Sequence, residues 1–395
     1  MTSTNQVPEV HYDHRDEQAH RDPWPRFRQL RDQCPVVHTE NYGGFYALTR
    51  YAEIAQAVRN CEVYSSAQGT GIPVLPGPKT PPLDVDPPEA RRWRELVNPY
   101  FSPSRVEGYR PWMRELAEQR VSDALSGSSA DVAQDIGIPL TRQVILTIMG
   151  ATNAPAELNA WTDDLIFGLE ETARRGAEQL WGFLQGEVTD RRARLGTDLV
   201  SSLVVARFSD SGRLLADDEI VRLLFLVLIA ALETTNGAIS AMIGYLLEHP
   251  DAAQRLREEP AIWNRAMDEF VRWSSPAVGL ARTTLTDTVV AGCPIPAGEK
   301  VMFLYASGNR DEREFDRPDE VVLDRQPNRH LGFGMGPHRC LGSHLAKAQM
   351  EQVLEAMLPL LPYWRLDTDQ EPEWHASATR GMASLRLVRQ QTGQP

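Results

Sequence analysis

The chain is short of several things, and each shortage removes a class of protein. Of 395 residues only four are cysteines, Cys34, Cys61, Cys293 and Cys340, and their spacing fits no disulfide or zinc framework. That usage suits a reducing compartment, so a cytoplasmic protein is expected. Positive charge is also scarce. The 41 Lys and Arg stand against 54 Asp and Glu, a net charge of −13, which argues against nucleic acid as a partner. The first 22 residues are polar and mixed in charge, with no apolar run of the kind a secretory signal or anchor needs, and they are expected to be a mobile tail. The longest apolar run, Leu223 to Leu232, is too short to cross a bilayer. No Gly/Ser linker, repeat or low-complexity tract divides the rest, so residues 23–395 are expected to form one domain.

What is present is concentrated in one stretch, Phe333-Gly334-Met335-Gly336-Pro337-His338-Arg339-Cys340-Leu341-Gly342. Its glycines permit φ > 0 and let a flat ligand approach the backbone. A helical pattern follows, from Leu341 to about Leu361, so the cysteine is expected where a loop meets a helix N-terminus. Orphan N–H groups and the helix dipole favour a thiolate there. Such a thiolate suits the axial ligand of a large planar metal cofactor. Two plainer readings compete: a buried free cysteine after a turn, and a zinc site using Cys340, His344, His330 and His338. Zinc sites usually carry more sulfur or an H-E-x-x-H helix, and this sequence has neither.

Elsewhere the pattern is mainly helical with a minor β region. Helices are expected over Arg26–Gln33, Tyr51–Asn60, Arg105–Leu125, Pro139–Met149, Leu199–Ala206 and Ala261–Trp273. Another runs over Pro155–Leu195, broken near Arg174 to Gly176. Val36–Thr39 and Phe45–Leu48 alternate around Gly43-Gly44 and read as a hairpin. Gly69 to Pro88 is rich in Gly and Pro and reads as a long binding loop. The helix beyond it carries Arg91, Arg92 and Arg94. Asp217 to about Leu247 is apolar all round, hence a buried central helix, and Glu233 inside it needs a partner or a proton-carrying role. Glu269 and Arg272 are three apart on a helix and can pair. Short strands are expected between Arg282 and Tyr305, and a last one over Ser384–Val388.

The spacing F-G-x-G-x-H-x-C-x-G resembles the haem loop of the cytochrome P450 family, the family known for Cys-thiolate haem ligation. Further matches follow in order. Ala230-Ala231-Leu232-Glu233-Thr234-Thr235 is similar to the oxygen-binding segment of the family. Glu269-x-x-Arg272 is similar to its E-x-x-R helix, and Arg325 falls where a third interlocking residue is expected. The resemblance runs from about Pro23 to Val388. It implies a mainly α-helical fold with small sheets. Haem b, iron protoporphyrin IX, would lie between the long central helix and the helix after the cysteine loop.

The resemblance also implies roles. Cys340 would ligate the iron, with Phe333 and Gly334 in the loop around it. Arg94, Arg282 and His338 would hold the propionates. Ala90 departs from the His or Gln common at its position, so the propionate there would have one donor fewer, or take Arg91 or water instead. Thr234 would hydrogen-bond dioxygen or its water, and Glu233 would relay protons. Ala231 departs from the usual Gly. Glu269, Arg272 and Arg325 would form a structural network. Leu226, Ile229, Val278, Gly279, Leu280, Ala378 and Thr379 would line a pocket for an uncharged, apolar or aromatic molecule. No flavin or iron–sulfur domain is expected within these 395 residues. Electrons are therefore expected from a [2Fe–2S] ferredoxin with a flavin-containing NAD(P)H reductase, docking near Arg91, Arg92, Arg339 and Lys347. The implied activity is a monooxygenase acting with O2. A peroxide-driven haem peroxygenase and a non-catalytic haem sensor are the alternatives.

Overall fold

The computed structural model describes residues 7–16, 21–74, 78–168, 170–376 and 379–390. Helix α1 (Trp24–Gln33) takes Pro25 in its first turn, where the missing N–H is not needed. Strands β1 (Val36–Thr39) and β2 (Phe45–Leu48) form the expected antiparallel hairpin, with Val36 opposite Leu48. There follow α2 (Tyr51–Ala57), β3 (Tyr64–Ser65), α3 (Glu89–Phe101), α4 (Pro103–Ala124) and β4 (Ser129–Asp131). A π-helical stretch, Val132–Gly137, leads into α5 (Ile138–Met149), α6 (Leu158–Phe167), α7 (Glu170–Ala193) and α8 (Leu199–Val205). Then come α9 (Asp217–Glu248), α10 (Pro250–Glu258) and α11 (Trp263–Ser274). The minor β region holds β5 (Leu280–Thr284), β6 (Thr288–Val290), β7 (Cys293–Ile295) and β8 (Lys300–Phe303). The chain continues with α12 (Tyr305–Gly308), α13 (Ser343–Met357), β9 (Trp364–Leu366), β10 (Glu373–Ala376), β11 (Arg380–Ser384) and β12 (Arg386–Arg389).

Several boundaries differ from the sequence reading for identifiable reasons. The break expected at Arg174 to Gly176 falls at Gly168 instead. Gly176 stays inside α7 because its bare Cα lets α6 come close. A Cβ there would sit 2.4 Å from Trp161 O and 2.8 Å from Leu165 N. The helix after the cysteine starts at Ser343, not Leu341. The last strand divides at Leu385, whose N–H donates to Asp131. Part of the stretch that reads as a mobile tail is held in place. Val10 N–H donates to His38 O at 2.8 Å, Tyr12 is buried, and His14 Nε2 meets Ile72 O at 2.6 Å.

The chain divides into two compact units. The first comprises Met1–Ala90, Asn264–Cys340 and Trp374–Arg380. It holds a five-stranded sheet in the order β1-β2-β8-β5-β3, antiparallel except where β2 meets β8. Phe45, Leu48, Val301, Phe303 and Leu331 are wholly buried around it. Cys34 and Cys293, far apart in sequence, lie with their Sγ atoms 3.6 Å apart as free thiols.

Within this unit α11 carries an ion network. Glu269 and Arg272 are both 0 % exposed and pair through two bonds of 2.8 Å. Arg325 Nε donates to both oxygens of Glu269 at 3.0 Å, Val322 N–H at 2.8 Å and Asn328 Nδ2 at 3.1 Å. Arg272 spends its remaining donors on the carbonyls of Asn309, Pro318 and Glu320. Burial alone would raise the Glu269 pKa, but the bonds from Arg272 and Val322 and the charge of Arg325 outweigh it and hold the carboxyl below its ordinary value.

The second unit comprises Arg91–Trp263, Leu341–Glu373 and Gly381–Pro395. Its centre is α9, which contacts α5, α7 and α13, while α4 packs along α13. A small sheet of order β4-β12-β9 closes it. Glu219 in the first turn of α9 accepts the Ala216 N–H at 2.8 Å and is itself paired with Arg213. By length and composition α9 could cross a membrane, yet 72 % of its most apolar window is buried inside the protein, as in a core helix.

Replacing Glu269 with Ala would leave Arg272 and Arg325 facing each other without a counter-charge. The expected loss is about 3–5 kcal/mol of stability, read as a lower denaturant midpoint. A variant that unfolds at the wild-type midpoint would refute the role given to the network.

Candidate active site

The cysteine loop lies in the first unit as far as Cys340. Gly334 and Gly336 take φ of +61° and +69°, a region that disfavours any side chain. The loop therefore folds back, and Cys340 N–H donates to Phe333 O at 2.7 Å. Its entrance is tied to the ion network: Leu331 N–H donates to Asn309 Oδ1 at 2.6 Å, next to the carbonyl that Arg272 holds. Of the four free cysteines Cys340 is the exposed one. The zinc alternative gains no support. Among the described residues, Cys340 and the three histidines do not gather their ligand atoms into one cluster. The grouping that does is Glu9, His38 and Glu40, on the surface.

Arg282, on β5, is 3 % exposed. Its Nη1 donates to Ala281 O at 2.7 Å and its guanidinium lies 6.0 Å from the Phe303 ring. Among the described residues no carboxylate stands within ion-pairing distance of it. A buried cation without a counter-ion is expensive, so the position calls for an anionic ligand. His338 is half-buried in the same unit, with Nε2 3.3 Å from Ser66 Oγ. A reachable thiol, a glycine loop and a buried guanidinium without a counter-ion are the donor set a dianionic, thiolate-ligated haem needs. The residues present fit that group.

In the other unit Arg94 is half-buried on α3. Ala90, the last residue of a first-unit segment, is buried. Arg91 pairs with Glu95 at 3.2 Å and Arg92 with Asp210 at 3.0 Å, both on the surface.

Helix α9 is buried on most sides, but Leu226, Ile229, Ala230 and Thr234 remain accessible. Their spacing of three and four puts them on one stripe. Thr234 Oγ1 donates to Ala230 O at 3.0 Å, one turn back. Glu233 is 6 % exposed, and among the described residues its Oε1 has no hydrogen-bond partner. Loss of water pushes its pKa up to about 7, and the like charge of Asp163 adds to the effect. Asp163, on α6, has an exposed side chain whose carboxyl is nonetheless partly screened from water. That screening and the adjacent Asp164 raise it to about 6. Because the folded chain binds the Glu233 proton more tightly than an unfolded one, protonation stabilises the fold. That contribution is full below about 4.5 and is lost as pH rises to about 7.

The expected pocket residues are not all alike. Leu226 and Ile229 lie on the open stripe. Val278 is 1 % exposed and belongs to the core cluster with Tyr12, Phe27 and Met302. Gly279 faces the Phe303 carbonyl so closely that a Cβ would sit 2.5 Å from its oxygen. Leu280 is half-buried at the edge of the same unit's core. Thr379 bridges to Ala277, and Ala378 lies outside the described residues. Asp163 is not legible as a site residue in the sequence; an Asp-Asp pair in a helix ordinarily marks a solvated face.

Comparison with known proteins gives the family of the chain. The family model of cytochrome P450 matches residues 170–373. A steroid C26-monooxygenase of Mycolicibacterium smegmatis is 34 % identical over 377 residues, covering 92 % of this chain and 91 % of its own. Cytochrome P450 130 of Mycobacterium tuberculosis is 30 % identical, over 86 % of this chain and 88 % of its own. Among solved structures, CYP109E1 from Bacillus megaterium in complex with testosterone has a TM-score of 0.85 at 25 % identity, covering 95 % of this chain and all of its own. The mainly α-helical fold with small sheets is the cytochrome P450 fold, and the chain belongs to the cytochrome P450 family of haem-thiolate monooxygenases.

Proposed function

We propose that this enzyme inserts one oxygen atom of O2 into a small, uncharged, largely apolar or aromatic molecule, by hydroxylation, O-dealkylation or epoxidation. The observation that carries the reading is the open stripe of α9, where apolar Leu226 and Ile229 adjoin Thr234 and the buried, protonatable Glu233 lies in the same turn. The steroid chemistry named for a relative favours a substrate at the larger end of this class.

The cofactor would be haem b, which Cys340 would hold; Arg282 and His338, and by the family resemblance Arg94, would donate to its two carboxylates. When bound, it supplies the oxygen-activating chemistry, to which the thiolate contributes electron density. The residues of the chain do the rest. Leu226 and Ile229 exclude water and orient an apolar substrate. Thr234 offers a hydroxyl on the accessible face. Glu233, neutral below about pH 7, holds a proton it can give up. Electrons come from a [2Fe–2S] ferredoxin and its flavin-containing NAD(P)H reductase, in the cytoplasm. Arg339 is an exposed cation beside Cys340 for that docking, with Arg91, Arg92 and Lys347 as further candidates.

Thr234→Ala should lower product formed per NAD(P)H by at least about tenfold while NAD(P)H consumption continues. Undiminished coupling would remove Thr234 from the mechanism, and equal turnover with hydrogen peroxide alone would favour the peroxygenase. Arg282→Gln should weaken haem retention, seen as faster haem transfer to an acceptor protein. Retention at the wild-type rate would count against the propionate role. Coupling should also fall as pH rises through about 7, where Glu233 loses its proton, and Glu233→Gln should abolish that dependence. A decline that persists in the glutamine variant would assign it to another group.

A further inference from the structure

Strand β11 crosses α9 at Gly381, within the second unit. Asn236 Nδ2 reaches Met382 O at 3.4 Å and so fixes the strand one turn along from Glu233. A Cβ built on Gly381 would lie 2.3 Å from Glu233 Oε1 and 3.5 Å from Gly237 Cα. Two bare Cα atoms, Gly237 on the helix and Gly381 on the strand, thus form a notch, and the carboxyl end of Glu233 fills it. This is the same oxygen that lacks a hydrogen-bond donor among the described residues.

We propose that Gly381 is a positioning residue. Its missing side chain reserves a dry notch that holds the Glu233 carboxyl, keeping it protonated at rest and ready to be delivered toward Thr234. The inference rests on the proton-donor reading of Glu233 for its functional meaning, while the positioning itself stands on the geometry.

The electrostatics of the notch agree. Among the described residues the charged group that acts on the Glu233 carboxyl is Asp163 of α6, a like charge, and no Lys or Arg pairs with it. The neighbouring polar groups on α9 and α5, Asn236, Ser240 and Thr141, are uncharged. The notch therefore favours a neutral acid. Gly381 does not have a positive φ, so Ala is compatible with its backbone. The atom in the way is the end of a flexible side chain, so Gly381→Ala should move the carboxyl and leave the strand in place. Displaced from the notch, the carboxyl meets water and ionises at lower pH.

The test is isotope-edited infrared spectroscopy of the ferric holoenzyme, following the protonated-carboxyl band that disappears in Glu233→Gln. Wild type should titrate near pH 7. Gly381→Ala should lower the midpoint by about one unit or more. The shorter Glu233→Asp carboxyl does not reach the added methyl, so Glu233→Asp should titrate alike with and without Gly381→Ala. A Gly381→Ala protein that titrates like wild type would overturn the proposal. If that variant is insoluble, the Gly381→Ala, Glu233→Asp pair decides: restored solubility supports the notch, and continued insolubility overturns it. Undiminished product per NAD(P)H in Glu233→Gln would instead defeat the proton-donor reading, leaving the infrared result to judge Gly381 separately.

Discussion

The first unit depends on one buried carboxylate. Glu269 is sealed from water and accepts from two arginines, a backbone amide and an asparagine, so its lone pairs are fully used. A buried ion pair of this kind adds little net stability compared with an apolar substitute, but it is strongly directional. Here the direction matters. Arg272 and Arg325 draw in the carbonyls of residues that belong to no helix or strand, and Asn309 carries the constraint to Leu331 at the mouth of the cysteine loop. The network is thereby joined to the entrance of the loop that carries Cys340.

Two buried glutamates show how environment separates roles. Glu269 and Glu233 are both nearly inaccessible. Glu269 is surrounded by donors and held ionised, whereas Glu233 has an oxygen with no donor among the described residues and a neighbouring negative charge, so its proton is retained to about pH 7. The first arrangement can only hold shape. The second leaves a group that changes charge in the range where an enzyme works. Helix α9 can host such a group because the rest of its length is well packed.

Features carried by local pattern are legible in the sequence. The hairpin, the central helix, the Glu269–Arg272 spacing and the cysteine loop each depend on residues close along the chain. Features that depend on distant partners are not. Strands β4 and β9 are three residues each and exist because β12 lies beside them, so no periodicity announces them. Val278 reads as pocket lining, but it packs into the core beside Tyr12, a residue from the stretch that reads as a free tail. The approach of Cys34 to Cys293 spans 259 residues, and the meeting of Gly381 with Glu233 is equally non-local.

The segment from Asn309 to Pro327 lacks strands and has no long helix, and by composition it looks like a natural place to splice in an epitope or trim a few residues. Its carbonyls at Asn309, Asp316, Arg317, Pro318 and Glu320 are instead each held by Arg272 or Arg325. Its irregular path is therefore as tightly specified as a helix, and changing its length by one residue would pull several of those carbonyls out of reach together. Engineers seeking a permissive insertion point should look to exposed turns such as Ser209–Gly212 before this one.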